Sequence, residues 1–351
     1  MAYPRGGEEA CIPQVLLLVS PLLDFSAKFS QIKDPRFKPD LIDNFIQCYN
    51  PQLPDASLLH SNLAQFPDTR LLYGGQDIFR PQNEVFGRML QAANVTWSNW
   101  TLPNVGHYLH WENTLAVDHL ILELLKGTYD PSDTVQRHVD NLSDSSAKAW
   151  LNGNLNRFFS GQKSSVPQRP AKVATSFVLI PLLDAILSNL AQQKAGLEKA
   201  TVILRGVKGD ALNTVVERLY YQIAAAGARN DIKETILLIE LYLTLYPTDL
   251  FMALIGEFYC FEYGWPEKQL ELMELIKPNL TSTGDLMRES SFYASYAFAL
   301  DLNRRYSDAA KAARLALHQK PTLPWALHAQ IHINSSQDGT TTSVHSLQTL
   351  T

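Results

Sequence analysis

Cysteine is scarce: Cys11, Cys48 and Cys260 are the three in 351 residues. Their scatter excludes a disulfide framework and a Cys-rich zinc site, and it fits buried thiols in a reducing compartment. No run of lysines and arginines occurs, and the formal net charge is −5 with an isoelectric point near 6.0. The broad basic face that neutralises phosphates is therefore lacking, and no nucleic-acid partner is expected. Long apolar runs are missing too. The run Val15 to Val19 falls far short of the ~20 residues that cross a bilayer, so no membrane span is expected. The N-terminus, MAYPRGGEEACIPQ, is polar and carries two glutamates, which is not the pattern of a signal peptide. Together these absences point to the cytoplasm. Asn-x-Ser/Thr triplets at Asn94, Asn99, Asn141, Asn279 and Asn334 matter only in a secreted chain. No cluster has metal-ligand spacing, and no cofactor is expected.

What is present is globular. Hydrophobic residues make up 46% and charged residues 19%, and the length suits two domains with real cores. The first part, residues 1–127, alternates short apolar runs with helical stretches. Pro13 to Val19, Thr69 to Tyr73 and Val95 to Leu102 read as strands; residues 39–49, Arg80 to Ala93 and Thr114 to Lys126 read as helices. Gly127 suits the C-cap of the last of these. Strand–helix alternation implies a parallel sheet with helices on its faces, so this part is α/β. Residues 128–170 turn polar, acidic and then Ser/Pro-rich, and are expected to form a linker. From 171 to 334 the spacing is helical throughout, over 173–193, 211–228, 232–246, 250–263, 266–276, 286–302, 306–319 and 323–333. This part is all-α. The tail 335–351, with little to bury, is expected to be disordered.

One stretch carries chemistry. TRLLYGGQDIFRPQ, residues 69–82, runs from a strand through Gly74-Gly75 to Asp77. That position lies just past a strand end, where α/β folds keep their sites. A histidine, His107, follows the next strand in NVGHYLHW. Acid after one strand and histidine after the next is the order of the α/β-hydrolase triad, in which the acid fixes the working tautomer of the imidazole. His110 is nearby but has no preceding glycine and ranks second.

VSPLLDFS, PDTRLLYGGQDIFRPQNEVFGRMLQAANV and LPNVGHYLHW resemble the C-terminal half of α/β-hydrolases of the hormone-sensitive-lipase and arylacetamide-deacetylase type, over about a third of the chain. The resemblance implies a partial α/β-hydrolase sheet with Asp77 as triad acid and His107 as triad base. It also implies a structural SPxxD stretch at Ser20, Pro21 and Asp24. A G-x-S-x-G nucleophile elbow occurs nowhere in the sequence, and neither does an HGG-type oxyanion motif. In that family both lie upstream of SPxxD, where this sequence has 19 residues. The expectation is a pair of remnants, with an ester substrate only if a nucleophile-bearing N-terminal half exists.

The helical part is clearest in YASYAFALDLNRRYSDAAKAARLALHQKPTLPWALHA, residues 293–329. Alanines at 297, 309 and 316 let two helices approach, and Tyr306 and Pro321 mark turns, which is the tetratricopeptide pattern. With YPTDLFMALIGEFYCFEYG and PWALHAQIHI, this part resembles the tetratricopeptide repeat protein 38 family. The resemblance implies helical repeats whose concave face binds a protein or peptide. His328 and His332 share a helix face at i, i+4; with no third ligand in sight, packing or solvent exposure is the expectation.

Two functions follow from different classes. One is a non-catalytic chain that joins a truncated hydrolase-like module to a protein-binding helical module. The other is a carboxylic ester hydrolase whose nucleophile-bearing half is missing from the sequence. A third reading, two unrelated coding segments joined in one chain, fits the change of class as well, and it expects an open-edged sheet that aggregates.

Overall fold

The computed structural model describes residues 15–21, 63–64, 66–107, 109, 114–142, 145–160, 178–190, 193–280 and 285–338. Two compact units make up the chain, Met1–Tyr129 and Asp130–Thr351. The described residues are mostly helical, with one small parallel sheet.

In the first unit, β1 (Val15–Val19), β2 (Asp68–Gly74) and β3 (Trp97–Leu102) form a three-stranded sheet in that order, every pair parallel. The registers put Val19 beside Leu72 and Gly74 beside Leu102, so the C-terminal ends of β2 and β3 are level. Helix α1 (Arg80–Ala92) connects β2 to β3, and α2 (Thr114–Lys126) follows β3 and packs on β1. The central strand is the buried one, with Leu71 and Leu72 fully covered. Leu71 and Tyr73 join Phe86 and Leu90 of α1 in the core, with Trp97 and Met89 packed against it. Each large apolar side chain covered in this way contributes about 1.5–3 kcal/mol. Helix α1 opens with a proline in its first turn, where the missing N–H costs nothing. Helix α2 ends at Gly127, with φ +67°, the left-handed C-cap that glycine adopts freely. The helix expected at 39–49 and the residues Asp24 and His110 lie outside the described residues.

The second unit is helical among its described residues. The expected linker over 128–170 is corrected: α3 (Val135–Asp140) and α4 (Ser145–Ser160) occupy much of it. The reason is an apolar stripe at Ala147, Trp150, Leu151, Leu155 and Phe159, all buried, which keeps helical spacing although serine and asparagine dilute it. The Ser/Pro-rich stretch 161–177 lies outside the described residues. Then come α5 (Leu179–Leu190), α6 (Lys194–Arg205), a 3₁₀ turn (Gly209–Ala211), α7 (Val215–Ala228) and α8 (Ile232–Leu245). They are followed by α9 (Leu250–Glu262), α10 (Pro266–Leu280), α11 (Leu286–Leu302), α12 (Tyr306–Gln319) and α13 (Pro324–Asp338). Helix α6 was not expected; it buries Ala200 and Leu204, too thin a stripe to stand out. Helix α13 also runs past residue 334 to Asp338, into the stretch expected to be a disordered tail.

From α5 to α13, each helix packs on the next. Caps fix where several begin. Thr214 and Glu217 form a reciprocal capping box on α7, and Asp231, Asp249 and Asp285 accept backbone N–H groups at the starts of α8, α9 and α11. Ala297, Ala309 and Ala316 are fully covered, and the Ser290 hydroxyl donates to the Ala316 carbonyl at 2.9 Å, tying α11 to α12. Asp249 is a buried polar centre of this unit. Its Oδ2 accepts the hydroxyls of Tyr220 at 2.9 Å and Tyr242 at 2.7 Å, and its Oδ1 accepts the Met252 N–H at 3.1 Å. Burial, followed by the Asp249 charge, pushes both phenols well above their ordinary value. They remain donors at any ordinary pH.

Candidate functional site

The site grows from the exit of β2. Its strand ends at Gly74, and a tight turn follows in which Asp77 N–H donates to the Gly74 carbonyl at 3.1 Å. Gly75 N–H donates to Leu102 at 2.7 Å and Gln76 N–H to Val105 at 2.9 Å, so this turn is bonded to the loop leaving β3. The contact is close. A β-carbon on Gly74 would stand 2.1 Å from the Val105 carbonyl oxygen and 2.3 Å from that of Gly106. Only glycine lets the two loops meet here. Asn104, with φ +56°, turns the second loop back, a conformation asparagine tolerates. The result is that the two residues picked out by sequence are brought together.

His107 Nδ1 lies 3.2 Å from Asp77 Oδ1, across 30 residues of sequence. The Asp77 side chain is fully covered, while the imidazole is 19% exposed. Asp77 Oδ1 also accepts the Phe79 N–H at 2.9 Å, which anchors the carboxylate to its own loop. Asp77 Oδ2 is buried with no hydrogen-bond partner among the described residues. The Phe79 ring meets the imidazole edge-on, with centroids 4.9 Å apart, and limits its rotation. A carboxylate only accepts, so a neutral His107 carries its proton on Nδ1 toward Asp77. Its Nε2 is then the basic nitrogen, which is the arrangement a general base requires.

Ser20 sits at the end of β1, buried, with φ +42°. Its N–H donates to Leu72 at 2.7 Å, and its hydroxyl has no partner among the described residues. Among the described residues no group of three or more His, Cys, Asp or Glu could hold a metal ion. His328 and His332 stack edge-on with centroids 4.6 Å apart, and both pack on Phe298. Cys260 is buried, and burial pushes its thiol up to about 12, leaving it unreactive. Among the described residues no helix is long and apolar enough to cross a membrane.

Sequence reasoning missed the part played by the backbone. The Gly74 contact and the Phe79 anchor are main-chain features, visible in sequence only as a double glycine and an aromatic two residues past the acid.

No family model matches the chain, and no curated protein and no solved structure matches it.

Proposed function

We propose that the first unit is the acid-and-histidine half of an α/β-hydrolase-type site without a nucleophile of its own. The chain then acts through its second unit, a tetratricopeptide-like helical module that binds a protein. One observation carries the first part: Asp77 and His107 meet at 3.2 Å beyond the C-terminal ends of adjacent parallel strands. A buried acid that orients a partly exposed imidazole is two-thirds of a triad. With no G-x-S-x-G and no HGG motif in the sequence, the histidine has no alkoxide to generate and no oxyanion donors to work with. The helical module is supported by pairs of helices that meet at buried alanines, the packing such repeats use. A reducing, cytoplasmic setting fits the three scattered cysteines.

The ordered geometry of the pair favours a second reading. A nucleophile-bearing segment from outside these 351 residues would complete the triad and make a carboxylic ester hydrolase. Labelling of the 351-residue protein with a fluorophosphonate, which reacts with activated serines, tests whether these residues hold a nucleophile of their own. No labelling is expected. Labelling that disappears in His107→Ala would mean that a serine within these residues is activated, and would overturn the non-catalytic reading.

A further inference from the structure

The helical unit contains a cavity of 260 Å³ lined from α9, α11 and α13. These are alternate helices, the first members of successive pairs, so the cavity lies on one face of the stack. Its walls are aromatic: Phe258 and Phe261 from α9, Phe298 from α11 and Trp325 from α13. Phe261 and Trp325 are 48% and 44% exposed. Phe261 also packs on Phe298, with ring centroids 5.4 Å apart, and contiguous exposed apolar surface of this kind marks interaction sites.

The polar lining has one sign. Glu257 and Glu262 both border the cavity, and no lysine or arginine does. Neither carboxylate forms an ion pair among the described residues. The Glu257 carboxyl is already aimed, since Gln269 Nε2 donates to its Oε1 at 3.1 Å and Ser295 hydrogen-bonds it as well. A carboxylate has further acceptor positions to offer beyond these. His328, also in the lining, supplies no counter-charge, because burial and then the adjacent His332 push it below its ordinary value.

The size narrows the occupant. At 260 Å³ the cavity is below the ~300–1,000 Å³ of sites that enclose whole ligands, so it takes one side chain of a longer chain. Aromatic faces attract cations, guanidinium most often among protein side chains. A planar fork also matches a carboxylate in two-point contact, where an ammonium cannot. We propose that this cavity seats the side chain of an arginine projecting from a segment of a partner protein. Glu262 receives the charge together with Glu257, which gives up its proton as the cation seats, and Phe261, Phe298 and Trp325 cover the guanidinium faces. The inference rests on the reading of the helical unit as a protein-binding module and names the anchor that module recognises.

The test probes an array of short peptides of randomised sequence with the full 351-residue chain. The strongest binder is then labelled and titrated by fluorescence anisotropy. The expected result is enrichment of arginine at one position. Affinity should fall about tenfold or more when that arginine becomes glutamine, and by a similar factor in Glu257→Gln and Trp325→Ala. Phe261→Ala, at a largely exposed ring, gives a further variant that should fold normally, with helical content checked by circular dichroism. Peptides that bind without an arginine preference, and equally well to all three variants, would overturn the arginine site while leaving protein binding in place. A chain that binds no peptide at all would remove both.

Discussion

Gly74 and Val105 approach so closely that a β-carbon on the glycine would lie 2.1 Å from the Val105 carbonyl oxygen. This contact joins the loop carrying Asp77 to the loop carrying His107. It explains how two residues 30 positions apart are held at hydrogen-bond range on neighbouring strand ends.

Gly74→Ala is therefore expected to part the loops. The overlap is with backbone oxygens, which cannot swing aside, so the cost should be about 1–3 kcal/mol of stability in the first unit. Gly75→Ala is the comparison: its β-carbon would meet the Leu102 oxygen at 3.3 Å, and the loss should be smaller. Chemical denaturation of the two variants checks the order.

Asp77 fixes the His107 tautomer. Nitrogen-15 NMR of the imidazole should show the Nδ1-protonated form dominating when the ring is neutral. In Asp77→Ala that preference should vanish, and the lost acceptor of the Phe79 N–H should cost about 1–3 kcal/mol. An unchanged tautomer balance in Asp77→Ala would mean that the carboxylate does not orient the ring.

The helical unit is expected to depend on Asp249 more than on any single apolar contact around it. Asp249→Ala strands two buried phenol hydroxyls and the helix-start N–H groups of Met252 and Val135, and should destabilise by about 3–5 kcal/mol. Tyr242→Phe removes one donor while another remains, and should cost about 1 kcal/mol. Thermal unfolding of each variant measures the difference.

How much of this could be read from the residues differs between elements. The strand–Gly-Gly–Asp run and the Gly-His pair were legible, because strand ends and sharp turns have strong local signatures. So were α2 with its Gly127 cap and the α11–α12 pair, where apolar spacing and cap chemistry agree. Helices α3, α4 and α6 were not, because α3 buries only Val135 and Val139 and α6 only Ala200 and Leu204, too few to set a period, and serine and asparagine dilute the stripe of α4. The cavity lined by Glu257 and Trp325 was invisible for another reason. Its residues come from three helices spread from 254 to 328, and nothing local announces that they face one another.

Glu257 makes the stability of the helical unit pH-dependent. The residue is half-buried as a whole, but its carboxyl is desolvated, and this pushes it up to about 7, against hydrogen bonds from Ser295 and Gln269 that pull it down. The folded state therefore holds the proton more tightly than the unfolded chain, whose ordinary value is near 4.5. A stabilising contribution fully present below about 4.5 is lost as pH rises through about 7. Its size is on the order of 3 kcal/mol as an upper bound, less where solvent reaches the group. His328, Lys268 and Glu262 are common to both proteins in a comparison with Glu257→Gln. The variant should gain on wild type between pH 5 and pH 8, as read from denaturation midpoints. A constant gap across that range would mean that Glu257 does not carry the effect.

Ester hydrolysis shows whether Asp77 and His107 form an ordered but idle pair. The purified 351-residue protein is assayed on p-nitrophenyl acetate and p-nitrophenyl butyrate beside His107→Ala. Equal, background-level rates are expected for the two proteins on both substrates. Hydrolysis above background in wild type that disappears in His107→Ala would contradict an idle pair, because the histidine would then be working with a nucleophile inside this chain.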